Sequence, residues 1–272
     1  VRGNTQSQPD SLRTVEDADD ACCQKGKGVR SKTKANPMES SLILVWQGGW
    51  IRAILQGAAI TIAVGTVSML VGALIGTLCG VIKWARIFPL TLVVDAYTSL
   101  VRGVPELLII YLLFFSSVQF VTQVATAFGY AALADSGYAF IIAIIAIGTI
   151  SGAYSTEVIR GALASIPTGH IEAARALGIP GRRIFRRIII PQMLRIAIPG
   201  MNNVWQTTIK DTALVSVVGL QELMRAASVA AGSTRNPLIF FLIAAVVYFA
   251  ITIISQAGFD RVERLVRLRA RK

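Results

Sequence analysis

From Ala53 to Ile82 the chain carries no charged residue, and nothing else in the sequence limits its fold so sharply. At about 1.5 Å per residue such a run is longer than a hydrocarbon core of about 30 Å, and backbone groups in lipid must find partners within their own segment. A single run of this kind has to be an α-helix. Gly57, Gly65, Gly72, Gly76 and Gly80 recur along it, and the small-xxx-small pair Gly72/Gly76 favours close approach of another helix. Lys83 and Arg86 follow the run and mark a cytoplasmic end.

Further apolar stretches extend the pattern. Phe88 to Leu100 is apolar apart from Asp95 and Tyr97, and Pro105 breaks it and starts a second span, Glu106 to about Val124. A polar loop with Gly129, Asp135 and Gly137 leads to a third span from Tyr138, long enough for its last turns to project into the cytoplasm. A short fourth span is expected over Arg195 to Thr208, an amphipathic stretch over Leu214 to Ala231, and a fifth span over Pro237 to Ala257. In and beside the fourth, Asn202, Asn203, Gln206, Lys210 and Asp211 need protein or a water-filled path, because lipid would not tolerate them. The expected fold is therefore all-α and polytopic, with five transmembrane helices.

Charge placement orients it. The formal charge is +12, but half of the arginines gather between Ile166 and Gln192 and at the C-terminus, each group beside an apolar span. That is a positive-inside pattern, and no aromatic-basic stacking platform points to nucleic acid. Five crossings place the N-terminus outside and the C-terminus in the cytoplasm. Residues 1–37 are polar, mixed in charge and too poor in apolar clusters to fold alone, so they are expected to be a disordered extension, with Met38 a candidate natural start. Residues 38–272 form the membrane domain. Leu42 to Trp50, with Trp46 and Trp50, is expected to lie flat at the interface. Cys22 and Cys23 are adjacent, Cys79 lies in a span and His170 has no ligand partner, so neither a disulfide framework nor a metal site is expected.

The loop 166–192 is the most structured polar stretch. Pro167 and Thr168 can open a short helix with Glu172 near its positive end, Gly178 can close it in a left-handed conformation, and Pro180 suits the start of a second helix. In that second helix Arg182, Arg183, Arg186 and Arg187 are expected on one side, and Ile184, Phe185, Ile188 and Ile189 on the other. The result is a helix-turn-helix knob, small (Ala173, Ala174, Ala176) on one side and basic or apolar on the other.

EAARALG, nine residues and then IIIP resembles the EAA motif of permease subunits of bacterial ATP-binding-cassette importers: Glu172, Ala173, Ala174, Gly178, Ile188 and Pro191 match, with Ile190 where leucine is usual. RGVPELL (Arg102 to Leu108), GAYSTEVIRGAL (Gly152 to Leu163) and KDTALVSVVG (Lys210 to Gly219) are similar to the polar amino-acid branch of that family. His170 departs from it, standing where glutamine is common. Glu106 is closer to the histidine, lysine, arginine and opine permeases. The resemblance implies a type I importer fold in the inner membrane and transport of polar, preferentially basic, amino acids or opines. It implies a second permease subunit, identical or related, a periplasmic substrate-binding protein, and separate ATPase subunits that hold ATP and Mg. This chain has no GxxxxGK[ST] loop, so no ATPase site or other cofactor is expected in it.

Two groups of site residues follow. Glu172, Ala173, Ala174, Gly178, Arg182 and Arg183 are expected to dock the ATPase, and the arginines also suit anionic lipid headgroups. Glu106, Glu157, Asn202, Asn203, Lys210 and Asp211 are candidates for the substrate pathway. Each also has another reading: Glu106 suits a helix N-terminus, Glu157 can pair with Arg160, the asparagines can bond between helices, and Lys210 with Asp211 suits a structural or gating cluster near the outer end of the pathway. The rival functions are a passive channel or ion-coupled carrier, which would leave the knob idle, and an intramembrane enzyme, for which no catalytic constellation stands at usable spacing.

Overall fold

A computed structural model describes residues 49–128 and 137–269, and the elements among them are all helical. The expected disordered stretch 1–37, most of the flat interfacial run and the loop residues Gly129 and Asp135 lie outside the described residues. Trp50, expected to lie flat, instead begins the first helix. In chain order the helices are α1 (Trp50–Ala85), α2 (Leu90–Gly103), α3 (Glu106–Phe128), α4 (Gly137–Ala164), α5 (Thr168–Ala176) and α6 (Gly181–Ile184). A π-helical turn, Phe185–Ile189, joins α6 to α7 (Ile190–Asp211), and a 3-10 segment, Thr212–Val218, precedes α8 (Leu223–Thr234) and α9 (Pro237–Arg269).

Among the described residues α1, α4 and α9 are each long and apolar enough to cross a membrane. The count reaches five when α2 with α3, bent by 110°, and the run Gly181–Val218 with α8, bent by 50°, each count as one broken span. The bends have local causes. Pro105 separates α2 from α3, and Gly219, at φ 96°, ends the 3-10 segment in a conformation that L side chains avoid. The short fourth span and the amphipathic stretch after it are thus one interrupted element. Pro199 inside α7 did not end that helix.

Within the glycine stripe, Gly72, Gly76 and Gly80 explain the largest interface, between α1 and α4, while Gly57 faces α8 and Gly65 faces α7. All five glycines are buried on one face of α1. A Cβ on Gly76 would come within 2.8 Å of the Ser155 carbonyl carbon and 2.9 Å of the Thr156 nitrogen, and one on Gly57 within 2.9 Å of the Leu223 Cα. The helices meet backbone to backbone, as small residues allow where lipid gives no hydrophobic drive. Ser151 Oγ donates to the Ser68 carbonyl at 3.2 Å across the same contact.

One buried carboxylate locks the third layer. Glu222 is fully buried and caps α8, accepting from the Met224 and Arg225 backbone N–H groups at 2.8 and 2.7 Å, from Tyr248 of α9 at 2.9 Å and from Thr61 of α1 at 3.3 Å. No sequence signal had singled it out. Glu222→Ala removes the cap and orphans two hydroxyls, an expected loss of about 3 kcal/mol. Glu222→Gln keeps an acceptor and should lose less. Thermal unfolding of the purified variants checks the order.

Candidate functional site

The knob forms as its sequence requires. Pro167 caps α5, and Gly178, at φ 73°, reverses the chain while its N–H donates to the Arg175 carbonyl at 2.9 Å. Pro180 caps α6. His170 Nδ1 lies 3.2 Å from Gln192 Oε1, which brings the two ends of the knob together. Ile166, Ala174, Ile184 and Ile189 are buried beneath it with Ile159 and Met193 of the adjoining helices, so the knob is seated on the ends of α4 and α7.

Its surface differs from expectation in two places. Glu172, Ala173, Gly178, Arg182 and Arg183 are exposed, but Ala174 is only 4% exposed and belongs to the packing underneath. A residue on that inner face packs the knob onto the helices that carry it. The π turn accounts for the second difference. Its wider winding brings Ile184 and Ile189, five residues apart, to the same inner side and turns Phe185 outward, whereas regular α spacing had put Phe185 with the isoleucines. Leu177, which the sequence reading passed over, is 80% exposed at the turn. The knob thus presents a large apolar side chain and four arginines at its surface.

The pathway candidates fall into two separate places. Glu106 opens α3, and Tyr154 of α4 donates to its Oε1 at 3.0 Å. Asp211, buried at the end of α7, faces the same Glu106 carboxyl, with Lys210 beside it. Arg102 lies 5.8 Å from the centre of the Tyr154 ring. The start of α3 and the end of α7 thus deliver two carboxyl groups to one point, beside Tyr154 of α4. In surroundings of low dielectric two ionised carboxylates would repel strongly, and a cationic group between them would relieve that repulsion. Below it on α7, Asn202 accepts from Gln206 at 3.5 Å, while Asn203 and Lys210 are exposed. That spacing lines up polar groups along one side of the helix.

Glu157 does not join them. It sits towards the knob end of α4, with Lys83 Nζ at 2.6 Å from its Oε1 and Arg160 Nε at 2.9 Å from its Oε2. The pairing with Arg160 was legible from i,i+3 spacing; the tighter one to Lys83 joins α1 to α4 and was not. Tyr154 was missed likewise, although it stands inside a stretch already singled out.

A family model described as a binding-protein-dependent transport system inner membrane component matches residues 72–268. The chain is similar to the nopaline transport system permease protein NocQ of Agrobacterium fabrum, 41% identical over 228 residues that cover 84% of this chain and 96% of that protein. It is similar also to the histidine/lysine/arginine/ornithine transport system permease protein HisQ of Escherichia coli, 37% identical over 216 residues, 79% of this chain and 94% of that one. Among solved structures it resembles the crystal structure of an amino acid ABC transporter with histidines, with TM-score 0.69, 26% identity, and 81% and 97% of the two chains covered. The inward-facing MetNI methionine ABC transporter shares the fold, with TM-score 0.60 at 20% identity over 79% of this chain and 95% of that one.

Proposed function

The chain belongs to the family of binding-protein-dependent transport system inner membrane components, as a multi-pass permease subunit of an ATP-binding-cassette transporter, and on that premise we propose how it works and what it carries. The knob is the ATPase docking element, with Glu172, Ala173, Gly178, Arg182 and Arg183 at its surface and Ala174 holding it from beneath. ATP and Mg belong to the ATPase subunits that receive it, and a binding protein delivers substrate from the opposite side. The knob lies in the cytoplasm with the basic C-terminal end, and the N-terminus lies outside. Residues 38–272 make up the membrane domain, and lipid headgroups share the arginine side of the knob.

The direction is inward and the substrate is a basic amino acid or an opine. One observation carries this: two carboxyl groups, Glu106 and Asp211, meet in the membrane part of a chain whose relatives are named for nopaline, octopine and histidine, lysine, arginine or ornithine. They form the subsite for the cationic end of the substrate, positioned by Tyr154. The exposed face of α7 with Asn203 and Lys210 needs a polar neighbour, and a second permease subunit, identical or related, supplies it across a shared water-filled path. Glu157 is a structural ion-pair partner, not a pathway residue.

The test is reconstitution of the complex with its binding protein, with basic, neutral and opine substrates screened for stimulated ATP hydrolysis and uptake. Glu106→Gln and Asp211→Asn should each lower kcat/KM for a basic substrate by about tenfold or more, as expected for loss of one bond to a charged group. Basal ATP hydrolysis should stay. Unchanged uptake by both variants would remove the subsite; a screen in which no cationic substrate stimulates hydrolysis would remove the substrate class.

A further inference from the structure

The knob-side ends of α1, α2 and α4 hold a charged cluster that neither docking nor passage employs. Lys83 Nζ reaches Asp95 at 2.7 Å, Glu157 at 2.6 Å and Thr98 Oγ1 at 3.2 Å, so its three N–H donors are all engaged. Arg160 takes the remaining Glu157 oxygen. What is left over faces outward. Asp95, with a side chain 49% exposed, has an oxygen to spare, Arg160 keeps the rest of its fork, and Arg86 forms no ion pair among the described residues. These groups line one cavity of about 620 Å³ with Lys83, Phe88, Thr91 and Glu157.

Phe88 is the large apolar side chain that lines the cavity, and α2 beside it carries further exposed apolar surface. Phe88 is 83% exposed, and Leu90, Leu92 and Val93 of α2 are exposed at 46, 65 and 67%. An anion alone would meet Asp95 in this cavity, and a cation alone would meet Arg86 and Arg160. A group carrying both signs on a short tether satisfies both. A free amino acid in water would also carry both signs, yet would leave the neighbouring apolar surface uncovered; acyl chains cover it.

We propose that this cavity binds the headgroup of an aminophospholipid of the phosphatidylethanolamine type. The phosphate lies against Arg86 and Arg160, the primary ammonium bonds to the spare Asp95 oxygen, and the acyl chains run along Phe88 and the outer side of α2. This rests on the membrane placement given above, which sets the knob end of α1 and α4 at headgroup level.

The complex, purified in mild detergent with its ATPase subunits, is transferred to nanodiscs containing equal amounts of phosphatidylethanolamine, phosphatidylglycerol and phosphatidylcholine with matched chains. Lipid retained on re-extraction is then measured by native mass spectrometry. The wild type should retain phosphatidylethanolamine above the other two. Arg86→Gln, which breaks no ion pair among the described residues, should cut that retention about fivefold, the value of one basic residue near a lipid surface. Asp95→Asn should erase the preference over phosphatidylcholine, whose quaternary ammonium cannot donate. Equal retention of all three lipids, a preference for phosphatidylglycerol, unchanged retention in Arg86→Gln, or displacement of lipid by free arginine would each overturn the proposal. ATPase co-purification is read in the same preparation, so failure of the transport reading stays separate from failure of this one.

Discussion

Gly76→Leu is expected to abolish the folded protein, the largest effect of any single change considered. The first atom of the new side chain already falls within 2.8 Å of the Ser155 backbone, and backbone cannot rotate out of the way as a side-chain end can. Overpacking costs about 1–3 kcal/mol even where neighbours yield; here α1 and α4 must part along their main interface. Even Gly76→Ala should lower the unfolding temperature clearly. Gly161→Ala is the contrast, since a Cβ there meets nothing within 4 Å and helix propensity favours the change. Detergent-solubilised yield and monodispersity on size exclusion decide it: a monodisperse Gly76→Leu would mean that the helices do not approach so closely.

Gly178→Asp is expected to do the opposite, leaving the fold and removing the function. A Cβ at this position meets open space, so the only local cost is that of a left-handed residue, about 1–2 kcal/mol and least for Asp and Asn. Docking is another matter. A carboxylate enclosed at the interface without a partner costs about 3 kcal/mol or more, which is over about a hundredfold in affinity. The variant should insert in the membrane, unfold at nearly the wild-type temperature and fail to co-purify with the ATPase. Gly178→Asn shares its shape without its charge and should retain most of the binding. Normal transport by Gly178→Asp would remove the knob from the docking role.

The features that the sequence disclosed are those built from neighbours along the chain. The knob was legible because Pro167, Gly178 and Pro180 act on the residues beside them, and the α1 seam because its glycines recur at helical spacing. What sequence could not disclose depends on partners far apart. Glu222 meets Thr61 across 161 residues, and Lys83 meets Glu157 across 74. Charges of that kind carry no local sign of burial until the fold brings donors or an opposite charge to them. Phe185 shows a third limit: one π turn moves it to the outer face, and α spacing carries no sign of it. Along the chain Asp211 reads with its neighbour Lys210, and Glu106 with the helix it opens; that the two carboxyls meet is a fact of the fold.

The knob has no free end. It takes its chain from α4 and passes it to α7, with Ile166 and Ile189 buried together where the two helices leave it. Tyr154 rides on the first of these helices and Asp211 on the second, and both address Glu106 on α3. The loop therefore acts as the shared handle of a pair of tongs whose tips carry the tyrosine and the aspartate. If the knob and the acidic point have the roles proposed above, a tilt imposed on the handle would change the spacing at the tips and with it the hold on a cation.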